Sequence, residues 1–283
     1  MKKQLIILAA ALAALMAISG TASAQTTKIV TGGSTGLQVL ASALASQYGK
    51  DTKGKVRVTV SGGGSGAGIT GALAGTFQIG NSSSDLTAAQ KGQGAVATPI
   101  TKEPFAIIVN KDNPIKGLTG EQVKQIFLGQ ITNWKDVGWA QGGAIKCFSR
   151  VATSGTRQSF QKLFLGSPTT NVSNSCPALA SNALDRSAVA NSKSGIAFVT
   201  FAYTTGSGGA TVKTLPIDGV TPSLQNVVSG KYRYWNCQYF VTKGAPAGDV
   251  ATYINWVRTS KSAQAVTRNY AVPFAGTEAE CLS

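Results

Sequence analysis

A turn that combines hydroxyl groups, a glycine and an arginine lies in the middle of the chain, at residues 149–160. Arg150 offers a planar fork of hydrogen-bond donors, Ser154 and Thr156 add hydroxyls, and Gly155 allows close approach to the backbone. If a helix starts here, its unpaired N–H groups attract an anion. The turn therefore predicts an anion site. A second interpretation stays open, in which Ser154 or Thr156 is only a helix N-cap and Arg150 is solvated.

Three turns rich in glycine and hydroxyl groups occur in the first third of the chain. Each follows a strand-like segment and precedes a helical one, and their candidate residues are Thr35, Gly36, Ser65 and Asp85. Each turn alone is weak evidence, because glycine turns are common connectors. Together with the Arg150 turn they place four donor-rich loops at strand ends, where open α/β sheets bind their ligands.

The elements that must position these turns follow from hydrophobic periodicity. Strand, small-residue turn and helix alternate three times at the start, which is typical of a parallel α/β sheet. The clearest predicted helices are residues 37–48, 119–128 and 249–259. The chain is near the upper limit for one core, so we expect two lobes, with crossings near residues 104–109 and 194–199.

The first residues have the pattern of a secretory leader. A basic start precedes an apolar run at residues 5–18, and Ala22-Ser23-Ala24 fits a cleavage site. A membrane anchor is the competing interpretation, but the apolar run is short for a span. We expect cleavage after Ala24, export to the periplasm and a mature chain of 259 residues, which is 283 less 24.

The expected mature chain is strongly basic. Without Lys2 and Lys3, 24 Lys and Arg residues stand against 11 Asp and Glu residues, a net charge of +13. Such an excess attracts anions of any kind. No run of basic residues or nucleic-acid-binding motif is present, and export argues against a genomic partner. We therefore expect either a small anionic partner or a surface charge with no ligand role, and no nucleic acid.

The counts of cysteine and histidine limit the chemistry. The four cysteines have no metal-clip spacing and the chain contains no histidine, so neither a metal nor another cofactor is expected. An even number of cysteines in an exported chain indicates two disulfides. Three pairings are open, and nearest-neighbour pairing is a guess that joins Cys147 to Cys176 and Cys237 to Cys281.

Two short motifs point elsewhere. Residues 32–36 match the G-x-S-x-G nucleophile elbow, which needs a histidine base that this chain lacks, although a Ser-Lys dyad stays open. Residues 62–67, with Asp85 further on, approach a dinucleotide fingerprint, but an exported protein seldom meets nicotinamide cofactors. Neither motif is preferred to the anion site.

The chain resembles the periplasmic phosphate-binding proteins of the PstS-like family, which serve ABC transporters. The resemblance covers most of the mature chain in order and is carried mainly by Gly33-Ser34-Thr35, Gly64-Ser65-Gly66-Ala67-Gly68, Ser83-Ser84-Asp85 and Arg150-x-x-x-Ser154-Gly155-Thr156. It implies an α/β fold of two hinged lobes, each a mostly parallel sheet flanked by helices. Lobe I is expected to comprise residues 25–105 and 203–283, and lobe II residues 106–202.

The resemblance also implies roles for the candidate residues. Thr35 and Ser65 supply donors, Asp85 accepts the proton of hydrogen phosphate, Arg150 is the charged fork, and Ser154, Gly155 and Thr156 donate from the helix start. Gly36 stands where the family often has a larger apolar residue, and its N–H can still donate. The chain also lacks the family's carboxylate between the arginine and the serine, which often holds the arginine.

Asp85 is the residue expected to make the site select phosphate over sulfate. A carboxylate in a dry cleft repels fully ionised sulfate but accepts a hydrogen bond from hydrogen phosphate. The rival interpretation makes Asp85 the N-cap of the next helix.

The implied function is extracytoplasmic phosphate binding without catalysis. A monomer is expected to deliver phosphate to an ABC permease in the inner membrane. The alternatives are a secreted phosphatase or phosphate-transfer enzyme on the same scaffold, and a surface protein that has lost ligand binding.

Overall fold

The computed structural model describes residues 26–282, so the predicted leader and its cleavage site lie outside the described residues. The strands are β1 Thr27–Gly33, β2 Val56–Gly63, β3 Ile79–Ser82, β4 Ala95–Asn110, β5 Lys146–Cys147, β6 Ser149–Arg150, β7 Ala178–Leu179, β8 Gly195–Thr200, β9 Val212–Leu215, β10 Trp235–Lys243 and β11 Val272–Pro273. The α-helices are α1 Thr35–Asp51, α2 Ser65–Leu73, α3 Ala88–Gly92, α4 Gly120–Phe127, α5 Gly155–Phe160, α6 Asn182–Ala190, α7 Gly206–Gly209, α8 Leu224–Val228, α9 Gly248–Thr259, α10 Lys261–Thr267 and α11 Ala279–Leu282. Short 3₁₀ and π segments are Trp134–Val137, Gln161–Leu165 and Phe201–Thr204.

The long strand β4 connects the two halves of the sheet. The main strand order is β2-β1-β3-β10-β4-β8-β5. The first part of β4, up to Pro104, pairs antiparallel with β10, and from Phe105 onward β4 pairs antiparallel with β8 and β9. One continuous strand therefore passes from one lobe to the other, which confirms a two-lobed α/β fold and agrees with the crossing expected near residues 104–109.

The strands that precede the three glycine turns pair with one another in parallel. β1 pairs parallel with both β2 and β3, so the carboxyl ends of these three strands share one edge of lobe I. On the lobe II side, β5 pairs parallel with β8. The turns that follow β1, β2 and β3 are therefore brought together at one edge.

The lobe boundaries stay a prediction, with one correction. The return to lobe I was expected after residue 202, yet β9 pairs with the distal part of β4. Leu215, Ile217 and Tyr232 also pack in the core cluster that contains Phe198. We therefore extend lobe II to the start of β10, because strand pairing and core packing hold these residues there.

Each lobe contains a large buried apolar cluster. In lobe I, Leu37, Leu40 and Leu44 on one face of α1 pack against Ile29 and Ile79. In lobe II, Phe160 at the end of α5 stacks on Phe198 of β8 with ring centroids 3.9 Å apart. That contact anchors the helix that carries the Arg150 turn.

Several predicted helices agree closely with the structure. Thr119 caps α4, as expected, and its side chain accepts a hydrogen bond from the N–H of Gln122. Thr87, not Asp85, caps α3, so the rival interpretation of Asp85 as an N-cap is wrong. Across residues 26–282, no helix combines the length and the apolar character that a membrane span needs.

Both guessed disulfides are present. Cys147 is bonded to Cys176 and Cys237 to Cys281. The first bond joins β5, three residues before Arg150, to the loop that leads to β7, and both of its cysteines are buried. It therefore ties down the strand that leads into the anion turn.

Removing the Cys147–Cys176 bond with two serine substitutions is expected to lower the free energy of unfolding. The two cysteines are 29 residues apart, and loop-closure entropy at that separation corresponds to roughly 3–4 kcal/mol. Urea unfolding of both proteins under oxidising conditions measures the difference. An unchanged midpoint and slope would show that the bond does not constrain the unfolded chain.

Candidate functional site

Four helices begin at one place between the lobes. They are α1 at Thr35, α2 at Ser65, α5 at Gly155 and α6 at Asn182. The amide of Asn182 donates to Thr35 Oγ1 and to Thr156 Oγ1, each at 3.3 Å, and so links three of the four starts. Because unpaired N–H groups and the positive end of the helix dipole lie at a helix start, this point favours negative charge.

Five hydroxyl side chains meet at these helix starts, and we call them the hydroxyl cluster: Ser34, Thr35, Ser65, Ser83 and Thr156. Ser34 Oγ lies 2.6 Å from Ser83 Oγ, and the Ser83 N–H donates to Ser65 Oγ at 3.0 Å. A Cβ placed on Gly36 would lie 2.9 Å from Thr156 Oγ1 and 3.1 Å from Ser83 Oγ. All five residues are buried.

Close backbone packing makes this convergence possible. Gly33 ends β1 with a φ of 134°, in the region that favours glycine. A Cβ there would lie 2.7 Å from the Cα of Gly68 in α2, closer than packed atoms allow. After this bend, Ser34 caps α1, and its hydroxyl accepts from the N–H of Gly36. The glycines of the motif therefore allow the starts of α1 and α2 to lie side by side.

Arg150 is the arginine that contacts the hydroxyl cluster in the described part of the chain. Its side chain is 1% exposed. Nη2 donates to Thr35 Oγ1 and to the Ala180 carbonyl, each at 3.0 Å, and Nε donates to the Leu179 carbonyl at 3.2 Å. Nη1 is buried and has no hydrogen-bond partner in the described part of the chain. A buried donor with no partner is costly, and here it marks the place for an acceptor.

Asp185 supplies the carboxylate that the Arg150 turn lacks. Its Oδ2 lies 3.3 Å from Arg150 Nε, and its side chain is also 1% exposed. Asp185 belongs to the first turn of α6, 35 positions after Arg150, and the turn itself gave no signal for it. Because Asp185 and the Leu179 carbonyl both contact Nε, the outer end of the guanidinium is left facing Thr35.

Burial dominates the titration of this pair. It raises the pKa of Asp185 from 3.8 to about 8, although the Arg150 guanidinium opposes the shift. Burial also lowers the pKa of Arg150, and the Asp185 carboxylate opposes that shift. Both effects have one cause, since low-dielectric surroundings penalise each charged form.

Replacing Asp185 with asparagine is expected to weaken the pH dependence of stability. A carboxyl whose folded pKa is raised contributes stability below its unfolded pKa, near 3.8, and loses it as pH rises through about 8. The lost stability is at most about 1.4 kcal/mol per pH unit. Urea unfolding between pH 4 and pH 9 should show a shallower decline in Asp185→Asn. Asp136→Asn, at an exposed position, is the matched control, and equal slopes in all three proteins would contradict the prediction.

The two lobes contact each other directly at the site. The Gly66 N–H donates to the Thr153 carbonyl at 3.1 Å, and Ser159 Oγ donates to the Ser83 carbonyl at 2.5 Å. Gly155 of lobe II lies against Ser65 of lobe I so closely that a Cβ on Gly155 would overlap the Ser65 hydroxyl. The site is therefore formed by both lobes together.

The structure brings seven of the eight sequence-predicted residues together. Thr35, Gly36, Ser65, Arg150, Ser154, Gly155 and Thr156 all lie buried at the helix starts. Ser154 is also the N-cap of α5, because its Oγ accepts from the Arg157 N–H at 3.3 Å. Its own N–H is bonded to the Val151 carbonyl, so only its hydroxyl group is free to donate outward.

Asp85 does not join this cluster. Its Oδ2 lies 2.9 Å from Lys162 Nζ, its Oδ1 accepts from the Tyr239 hydroxyl at 2.7 Å, and the side chain is 33% exposed. Burial, together with the Asp85 carboxylate, raises the pKa of Tyr239. Asp85 therefore forms an ion pair between the lobes, beside the cleft and not inside it.

Sequence reasoning missed four residues at the site in addition to Asp185. Ser34 and Ser83 stand within the motifs quoted for the resemblance and could have been found there. Asn182 and Tyr203 had no signal, because they are brought in by α6 and by the segment after β8. The Tyr203 hydroxyl donates to the Thr35 carbonyl at 2.7 Å, and Asn182 Oδ1 accepts from the Thr200 N–H.

The donor set suits an anion held by hydrogen bonds. Within residues 26–282, no three histidine, cysteine or acidic residues cluster in a way that could hold a metal ion. What the site offers is one guanidinium, several hydroxyls and the starts of helices. A two-lobed fold with such a cleft defines a solute-binding protein of the periplasmic type.

Comparison with known proteins agrees that this chain is a solute-binding protein and identifies its family. The family model described as a PBP superfamily domain matches residues 17–261. The chain is 30% identical over 234 residues to the phosphate-binding protein PstS of Bacillus subtilis (strain 168), covering 80% of this chain and 74% of that protein. The chain belongs to the PBP superfamily and, within it, to the PstS-like family.

Solved structures agree with the fold. A candidate phosphate ABC transporter substrate-binding protein from Clostridium perfringens, with bound phosphate, has a TM-score of 0.80 at 26% identity over 88% of this chain and 100% of that one. An ABC-type phosphate transport receptor from Vibrio cholerae has a TM-score of 0.68 at 27% identity over 87% of this chain and 100% of that one. By their names, these two relatives are a substrate-binding protein and a receptor of phosphate transport.

Proposed function

We propose that this chain binds inorganic phosphate between its two lobes, outside the cytoplasm, and delivers it to an ABC permease. The observation that carries the proposal is the buried, unpartnered Nη1 of Arg150 beside Thr35 at the meeting point of the helix starts. The names of the relatives, which bind or transport phosphate, support the choice of anion.

The predicted residues that lie at the helix starts are assigned roles in binding, and Asp85, which lies beside the cleft, is assigned none. Arg150 donates a charge-assisted hydrogen bond through Nη1. The hydroxyls of Thr35, Ser65, Ser154 and Thr156 donate to the phosphate oxygens, and Gly155 and Thr156 present their backbone N–H groups. The N–H of Gly36 is bonded to Ser34 Oγ, so Gly36 contributes by leaving space beside Thr156 and Ser83. Asp185 and the carbonyls of Leu179 and Ala180 hold the guanidinium in place. Ordering the donors before binding reduces the cost of binding.

The hinge makes delivery possible. β4 runs through both lobes, so bending near Pro104 and Phe105 separates the α1 and α2 starts from the α5 start. Phosphate that contacts both lobes stabilises the closed arrangement, and a permease can then distinguish the loaded protein from the unloaded one. We further propose that the protein is a monomer, that its leader is cleaved after Ala24, and that its permease lies in the inner membrane.

Calorimetric titration of anion-free mature protein with phosphate tests the proposal. The expected result is saturable one-to-one binding and a rise in melting temperature that grows with phosphate concentration. Absence of both heat and thermal stabilisation would overturn the proposal. Heat with a fractional or multiple stoichiometry would reject the single inter-lobe site.

A further inference from the structure

A serine, and not a carboxylate, occupies the centre of the hydroxyl cluster. Ser83 is fully buried, its Oγ lies 2.6 Å from Ser34 Oγ, and it accepts from the Gln238 side chain at 3.4 Å. Its backbone N–H donates to Ser65 Oγ, and its carbonyl accepts from Ser159 and Asn236. Ser83 therefore contacts residues of both lobes. It lies two positions before Asp85, the aspartate that the sequence predicted as a phosphate ligand.

The three carboxylates near the cleft contact groups outside the hydroxyl cluster. Asp85 pairs with Lys162 and Tyr239, and Asp185 lies on the Nε edge of Arg150. Glu103 is buried; its Oε1 accepts from the Ala202 N–H, and its Oε2 has no hydrogen-bond partner within residues 26–282. The hydrogen bonds and ion pairs of Asp85, the ion pair of Asp185 and the Oε1 bond of Glu103 involve none of the five hydroxyl groups of the cluster.

This difference changes what the site can select. An ionised carboxylate only accepts hydrogen bonds, so it repels an oxyanion that carries no proton. A hydroxyl can rotate and either donate or accept. Ser83 can therefore accept the proton of hydrogen phosphate and can equally donate to an unprotonated oxygen of sulfate.

We infer that this chain takes tetrahedral oxyanions as a class, with Ser83 as the residue that sets this breadth, and that it binds sulfate nearly as well as phosphate. The inference rests on the proposed function, since it concerns the same site. Changing a hydroxyl from acceptor to donor replaces one hydrogen bond by another. Because a net hydrogen bond is worth about 1 kcal/mol, we expect the two dissociation constants to differ by about tenfold or less.

Titration of the wild-type protein with sulfate, with phosphate, and with phosphate in the presence of sulfate tests the inference. Mutual competition and a ratio of about tenfold or less support it. Phosphate binding with a larger ratio overturns the inference and leaves the proposed function standing. If phosphate does not bind, the proposed function itself fails, so the two failures are distinguishable.

Two variants identify the residue responsible. Ser83→Asp is expected to lower sulfate affinity relative to phosphate affinity by at least about 100-fold, because it introduces like-charge repulsion into a buried site. Asp85→Asn is the matched control and should leave the ratio within about threefold of wild type, because its carboxylate is held outside the cluster by Lys162 and Tyr239. If Asp85→Asn changes the ratio, Asp85 is the selecting residue and the inference is overturned. If Ser83→Asp does not fold, the wild-type ratio and the Asp85→Asn control decide.

Discussion

Replacing Arg150 with alanine is expected to lower phosphate affinity by about 100- to 10,000-fold, because each charge-assisted hydrogen bond contributes about 1.5–3 kcal/mol and the guanidinium can make two. The wild-type side chain is fully buried with its outer end against Thr35. Calorimetric titration of both proteins with phosphate measures the loss. Arg57→Ala, at an exposed position of β2, is the matched control and should bind as the wild type does.

Stability must be separated from binding in this test. Removing Arg150 leaves the buried Asp185 carboxyl without its partner, which lowers stability at pH values where that carboxyl is ionised, above about 8. The double variant Arg150→Ala with Asp185→Asn should recover part of this stability and none of the affinity. If the double variant recovers phosphate binding, the loss in Arg150→Ala was caused by misfolding, and the assigned role of Arg150 is wrong.

Replacing Gly155 with alanine is expected to prevent the lobes from closing. The added Cβ would overlap the Ser65 hydroxyl and would lie 2.7 Å from Ser65 Cβ and 3.0 Å from the Ser84 nitrogen. These atoms belong to lobe I and Gly155 to lobe II, so bending at β4 relieves the clash without unfolding either core. Since closure is needed for contacts from both lobes, phosphate affinity should fall by at least about 100-fold while the melting temperature changes little.

Small-angle X-ray scattering with and without phosphate supplies the second measurement for Gly155→Ala. The wild-type radius of gyration should be smaller with saturating phosphate than without it, and that of the variant should stay the same. Gly92→Ala is the matched control, because a Cβ at Gly92 would meet no atom within 4 Å. Normal affinity and normal compaction in Gly155→Ala would show that the lobes do not need this close contact.

Some of the site could be predicted because its signals are local in the chain. A turn of small and hydroxyl residues between a strand and a helix places donors at the helix start, whatever the remainder of the fold does. Thr35, Ser65 and Thr156 were found in this way. Arg150 was found because it stands next to such a turn, and the pairing of the cysteines was guessed correctly from nearest neighbours.

Other features of the site and of the fold could not be predicted, because they depend on contacts between segments that are far apart in the chain. The position of Asp85 outside the cluster could not be predicted, because a motif does not tell which way a side chain turns after a strand. Its partners Lys162 and Tyr239 come from 77 and 154 positions away. The pairing of β9 with β4, which leads us to propose a later return to lobe I, could not be predicted either, because β9 is short and the local pattern does not contain its register.

The sequence by itself determined the α/β class, the two-lobed arrangement, the donor-rich turns and the resemblance to the PstS-like family, because periodicity and turn chemistry are properties of neighbouring residues. Only the tertiary structure decided which carboxylate holds Arg150 and which residue occupies the centre of the cleft. Asp185 reaches Arg150 because α6 starts beside Thr35, and Ser83 reaches Ser34 because β3 pairs with β1. Both outcomes depend on how separate elements pack, and packing brings together residues that no local pattern connects.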